Sequence, residues 1–247
     1  MVARRSVSTI ASPVSTLGER VLTHAANSGR LLPAGQSSIS PNALLYSAPA
    51  RHLPGGAEEA TMRIDPITER EPLDAAGKQA WDAVAERRGG RVGGPFGVLM
   101  HSPVAAERVA RVGDHVRFDI ELPSAERELA IIATAREFDT EVEWGGHSRL
   151  AIEAGVPEAT VDIVAKRGDI SSLTAREAEI ITFVRELVGP KRRVSEATFK
   201  ALHARLGDQG MVDLATLVGY YAMLGCVLNT FEVPSGPGAR PLPAITR

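Results

Sequence analysis

Apolar residues recur along this chain at helical spacing, and no stretch alternates convincingly with the period of two that a half-buried strand requires. The pattern predicts a helix from Leu73 to about Arg88, with Ala80, Trp81 and Val84 on one side. Arg88 to Gly94 is a glycine-rich loop. It lacks the Lys-Ser/Thr ending of a phosphate-binding loop and follows no strand, so it reads as a tight turn before Pro95-Phe96. Ser102-Pro103 opens a second helix with the apolar repeat Ala105, Val109, Val112, Val116. Beyond residue 155 the pattern predicts four more helices. One starts near Pro157 with Val161 and Val164. One starts at a Thr174/Glu177 capping box and buries Ile180, Ile181, Val184 and Leu187. One runs from Ser195 to Leu206 and stops at Gly207, and a long one covers about Gly210 to Phe231. In the last, Gly219, Ala222 and Gly225 would allow close helix contact. The fold class predicted is an all-α bundle.

The middle of the chain is organised around two consecutive helices. Leu129, Ala130, Ile131, Ile132, Ala133, Ala135 and Phe138 make the first apolar on almost every side, which marks a buried helix. The second is predicted to begin at Thr140, where Thr140-x-x-Glu143 reads as a capping box, and to stop at Gly155-Val156-Pro157. Glu143 and His147 stand four residues apart and share one face. A carboxylate beside an imidazole can move protons. Equally, Glu143 can cap the helix, His147 can be a satisfied buried histidine, and Glu128 can simply favour the positive end of the buried helix. A metal is the weakest reading of the pair, since no second pair has ligand spacing.

Composition narrows the function classes. The net charge of −2 gives no general reason to bind nucleic acid or an anionic membrane, and no uninterrupted apolar run of membrane-spanning length is apparent. The lone Cys226 excludes an internal disulfide and a CxxC redox centre, and reads as a small core residue in an apolar helix. Residues 1–61 form a separate region rich in Ser, Ala and Pro, with Arg4, Arg5, Arg20, Arg30 and Arg51 against only Glu19 before Glu58. That composition fits a disordered extension, translated sequence ahead of a true start at Met62, or an organelle presequence. The expected location is cytoplasmic on the first two readings and organellar on the third. Residues 62–233 form the helical domain, and 234–247 an extended proline-rich tail suited to wrapping a neighbour.

Arg127-Glu128-Leu-Ala-Ile-Ile, then Glu141-Val-Glu143-Trp-Gly-Gly-His147, then Ala-Gly155-Val-Pro, resembles the carboxymuconolactone decarboxylase family, in the superfamily that also holds the AhpD-like alkylhydroperoxidases. Pro95-Phe96-x-Val-Leu-Met-His101-Ser-Pro and Leu228-Asn229-x-Phe231-Glu232-Val-Pro resemble one long branch of it. The resemblance covers about Met62 to Pro243 and implies an AhpD-like helical fold. In the peroxidase branch it places the two cysteines at Thr140 and Glu143, the glutamate at Glu128 and the histidine at His147. Both thiols are absent, and thiolate peroxide chemistry needs a sulfur nucleophile, so thiol peroxidase is rejected. Arg149 fits the His-x-Arg spacing of the decarboxylase branch, but two residues amount to roughly 200° of helix, so it cannot share the face of His147.

What the resemblance implies is a cofactor-free lyase, as in aromatic-compound catabolism, that decarboxylates a small carboxylated lactone or keto acid. His147, Glu143 and Glu128 would be the proton-transfer residues, with Phe96, His101, Trp144 and Thr140 lining the substrate pocket. No cofactor or metal is expected. The same proton transfers serve an isomerase or hydratase, and the same bundle serves a non-catalytic binding protein. The expected assembly is a homo-oligomer, a trimer or hexamer, built in part on the small residues of the last helix.

Overall fold

A computed structural model describes residues 62–245, so the extension expected over residues 1–61 lies outside the described residues. Every regular element in the described residues is helical. In chain order they are α1 (Ala75–Ala85), α2 (Pro95–Leu99), α3 (Pro103–Asp114), a π-helical turn (His115–Asp119), α4 (Ser124–Glu137), α5 (Glu141–Glu153), α6 (Glu158–Ala165), α7 (Ala175–Val188) and α8 (Glu196–Phe231).

Helix α4 is central because its sequence leaves it no polar side to expose. It packs on α5, α6, α7 and α8, and Leu129, Ile131 and Ile132 are fully buried. Each such side chain contributes roughly 1.5–3 kcal/mol relative to exposure. Asp139 ends α4 in the left-handed region, with φ 52°, and the chain reverses at once into α5. This short link sets the two helices side by side.

Of the other start signals, Ser102 and Thr140 make no side-chain capping bond, although Pro103 opens α3, and two act as read. Thr174 and Glu177 form the reciprocal capping box of α7, and Ser195 caps α8. Gly207, with φ 64° and ψ −174°, breaks α8 internally, where glycine alone takes the bend without strain. The segment after the break reaches a mean hydropathy of 1.7, long and apolar enough to cross a membrane, which a search for uninterrupted apolar runs overlooks; 56% of that stretch is buried inside the protein.

Three expectations are corrected. First, the inward face of α3 keeps only part of the valine stripe, with Val116 buried and Val109 packed on the core. Val112 is 43% exposed, and the buried positions are Ala106, Ala110, Gly113 and Asp114, followed by Val116 and Arg117 in the π-helical turn. Gly113 is required there, because a Cβ would stand 2.2 Å from the Tyr220 hydroxyl. Second, Cys226 is exposed and not a core residue. Third, the C-terminal tail folds onto its own chain. Trp144 donates its indole N–H to the Pro241 carbonyl at 3.2 Å, Arg136 donates to the Pro243 carbonyl at 2.7 Å, and Leu242 enters the main core. Gly145 lets the tail lie this close to α5, since a Cβ there would be 2.6 Å from that of Ala239. The glycines of α8 divide similarly: Gly225 packs against the Phe138 ring, while Gly219 meets nothing and is exposed.

Candidate functional site

Four helical segments bring polar side chains into the interior beside α4. Glu128 comes from the second turn of α4, and Glu143 and His147 from one face of α5. Tyr221 comes from the long segment of α8, and Arg117 from the π-helical turn after α3. His147 has no exposed surface, and Glu143 and Glu128 are only 2% and 6% exposed.

His147 is held on both ring nitrogens. The Glu128 carboxylate lies 2.7 Å from Nδ1, close enough to accept a strong Nδ1–H hydrogen bond. That leaves Nε2 of the neutral ring as an acceptor, and the Tyr221 hydroxyl stands 3.2 Å from it. The Tyr221 ring meets the imidazole edge to face, with centroids 5.1 Å apart. Glu143 Oε2 is also on the Nε2 side, at 3.5 Å. Its second oxygen, Oε1, is buried with no hydrogen-bond partner.

The two glutamates are pushed in opposite directions. Burial pushes the Glu128 carboxyl up, but the charge and hydrogen bond of His147, with Arg117 and Arg127, outweigh it and hold the group below the ordinary glutamate range. Burial dominates at Glu143 and raises it, against a smaller opposing pull from His147 and Arg117, and the neighbouring Glu128 charge adds to the rise. One carboxyl is thus shifted toward its ionised form and the other toward its protonated form around a single imidazole, an arrangement suited to acid–base work.

The capping reading of Glu143 is overturned. Thr140 makes no side-chain capping bond; its hydroxyl donates back to the Ala135 carbonyl at 3.2 Å, and Glu143 turns inward toward His147. The predicted lining residues are dispersed. Trp144 is buried beneath the tail, and Thr140 is buried at the α4–α5 reversal. Phe96 belongs to a second, smaller core cluster, with the Arg88 guanidinium 4.5 Å above its ring. His101 is exposed, and its Nε2 holds the Asp65 carbonyl at 2.8 Å, fastening the entering segment to the start of α3. Arg149, read as off the His147 face, pairs with Glu153 on the outside of α5.

Tyr221 and Arg117 escaped the sequence reading. Tyr221 sits in a run of apolar residues where an aromatic reads as core. Arg117 reads as a surface charge because the valine repeat before it suggests a different inner face. A weak signal was available: two adjacent tyrosines in a chain with only 4% aromatic residues. Tyr220, the other member, is buried beside Arg88, and burial raises its hydroxyl. Among the described residues no group of three or more His, Cys, Asp and Glu could hold a metal ion.

No protein-family model and no curated protein matches the chain. Its fold is nevertheless that of known crystal structures. An alkylhydroperoxidase AhpD core, an uncharacterized peroxidase-related protein from Ralstonia eutropha JMP134, is 21% identical with a TM-score of 0.59, over 71% of this chain and 93% of that one. An uncharacterized peroxidase-related protein from Silicibacter sp. TM1040 is 14% identical with a TM-score of 0.59, over 74% of this chain and 95% of that one. The chain therefore has the all-α AhpD-core fold. At these identities the likeness is one of fold, and the chemistry has to be argued from the side chains.

Proposed function

We propose that this protein is a cofactor-free acid–base enzyme that decarboxylates a small carboxylated lactone or keto acid. The observation that supports this most is the buried His147 between two buried glutamates, Glu128 lowered and Glu143 raised from the ordinary carboxyl range. Glu128 orients the ring and stabilises the imidazolium form. The bond between the substrate's α-carbon and its carboxylate breaks, CO2 leaves, and the electron pair moves onto the substrate carbonyl as an enolate. Glu143, as a carboxylic acid, passes its proton to Nε2, the imidazolium Nε2–H protonates the carbon, and Glu143 regains its proton from solvent.

The peroxidase-related names of the structural neighbours do not transfer easily. Thr140 and Glu143 stand where the resemblance places the two thiols, and Cys226 lies on the exposed side of α8. The test is carbon dioxide release from a panel of carboxylated lactones and β-keto acids, with His147→Gln as control. Release that survives in the control, or a panel with no turnover at all, rejects the reading.

A homo-oligomer, a trimer or hexamer, belongs to the same proposal. The exposed Val212, Ala215 and Gly219 on α8 support it as a close-packing face. Light scattering that reports a monomer at micromolar concentration ends it.

A further inference from the structure

We propose that Tyr221 is a positioning residue for His147: its hydroxyl occupies Nε2 in the resting protein and, with Glu128 on Nδ1, fixes one tautomer and one ring orientation. The inference rests on the acid–base reading above and extends it to a residue that reading did not need.

The argument begins with a single lone pair. When Glu128 takes the Nδ1 hydrogen at 2.7 Å, the neutral ring offers one acceptor, Nε2. Two groups face it, the Tyr221 hydroxyl at 3.2 Å and the Glu143 carboxyl at 3.5 Å. Only one can donate at a time. Tyr221 is the nearer, and its edge-to-face ring contact fixes the approach. Glu143 is left with a buried Oε1 that has no partner, the condition of a group held in waiting. Tyr221 therefore holds Nε2 against Glu143 until a substrate displaces the hydroxyl. It also prevents a ring flip that would turn the bare nitrogen toward Glu128, where two acceptors would face each other.

The adjacent tyrosine supplies the control. Tyr220 is packed against Tyr221, with ring centroids 5.3 Å apart, but its hydroxyl bonds Arg88 and not His147. Removing either hydroxyl disturbs the same part of α8, and only one removal takes a bond from His147.

The experiment is nitrogen-15 NMR of the full chain labelled at histidine, with the His147 signals assigned by their loss in His147→Gln. In the wild type one ring nitrogen should be protonated and the other a hydrogen-bonded acceptor. Tyr221→Phe should move the acceptor signal, downfield where the single tautomer persists without its hydrogen bond and upfield toward the protonated range where the ring becomes a mixture of tautomers or an imidazolium; Tyr220→Phe should leave both signals in place. On an identified substrate Tyr221→Phe should lower kcat roughly 10- to 100-fold with little change in KM, the cost of misplacing a reacting group. Unchanged His147 signals in Tyr221→Phe, or equal shifts in both variants, overturn the proposal. The NMR result needs no substrate. A His147→Gln protein that still turns over therefore defeats the enzymatic reading and leaves the tautomer assignment to stand or fall alone.

Discussion

The two ends of α4 each carry buried charge, and they treat it differently. At the C-terminal end Arg136 is paired with Asp139 and donates to the carbonyls of Ala165 and Pro243, while Glu137 is matched by Arg167. Each charge there meets an opposite charge or a backbone carbonyl, and together they tie α4, α6 and the tail. Toward the N-terminal end, two carboxyl groups share one imidazole, and one carboxyl oxygen is left with no partner. A cluster that serves stability pairs each charge with an opposite one, even though the Arg136 Nε itself has no hydrogen-bond partner. A cluster that raises a buried carboxyl group and leaves one of its oxygens without a partner gives up stability and retains the capacity to exchange protons.

The largest effect expected from this contrast is on rate. His147→Gln should lower turnover of the identified substrate roughly 10²- to 10⁴-fold, the usual contribution of a positioned proton donor, while circular dichroism stays helical. Arg136→Met should do the reverse. It leaves two buried carbonyls short of a donor, a loss of about 2–4 kcal/mol in a denaturation curve. It should also expose the tail to protease and leave the His147 ring signals unmoved. Equal losses of activity and stability in both variants would erase the distinction between the two ends.

Gly145→Ala is a gentler probe of the same boundary. Its new Cβ collides with Ala239, which belongs to a tail that can shift, so the cost should fall near the low end of the roughly 1–3 kcal/mol of overpacking. Increased hydrogen exchange confined to residues 234–245 would mark the tail as a brace. A change in the His147 tautomer would show that it reaches into the site.

The sequence made the elements of this fold legible because their signals are local. The all-apolar α4, the box at Thr174 and the stop at Gly207 each involve residues within a few positions of one another. The shared face of Glu143 and His147 was legible for the same reason. Glu128 entered as a partner of His147 only through a family resemblance, since 19 residues and a chain reversal separate them. Tyr221, 74 residues from His147, gave no local sign. At α3 hydrophobicity was a partial guide: Val116 is buried as read and Val109 packs against the core, but Val112 is exposed, and Gly113, Asp114 and Arg117 complete the buried face. At Thr140 a valid capping motif lost to a competing demand, the burial of Glu143 against His147. The tail failed for a different reason, because Trp144, Arg136 and the gap at Gly145 accept it by shape and carbonyl bonding, which hydropathy does not record.

The smallest effect expected, and the one that separates the two glutamates, is the pH dependence of stability in Glu143→Gln and Glu128→Gln. Glu143 is raised in the folded protein, chiefly by burial, above its ordinary value of 4.5. Below that value both folded and unfolded chains carry its proton, and the wild type matches the glutamine variant in this term. As pH rises past it, the unfolded chain ionises first and unfolding is favoured, until the folded group ionises too and the loss is complete. Glu143→Gln should therefore gain stability relative to the wild type as pH increases. Glu128 is depressed by His147, Arg117 and Arg127 acting against burial, so its contribution is present above 4.5 and is lost as pH falls through its folded value. Glu128→Gln should be the less stable protein at neutral pH, with the gap closing in acid. Opposite slopes from two glutamates on one imidazole are what the frustrated cluster requires. Denaturation midpoints across pH measure both, and a pH-independent difference for Glu143→Gln would return that residue to the role of a helix cap.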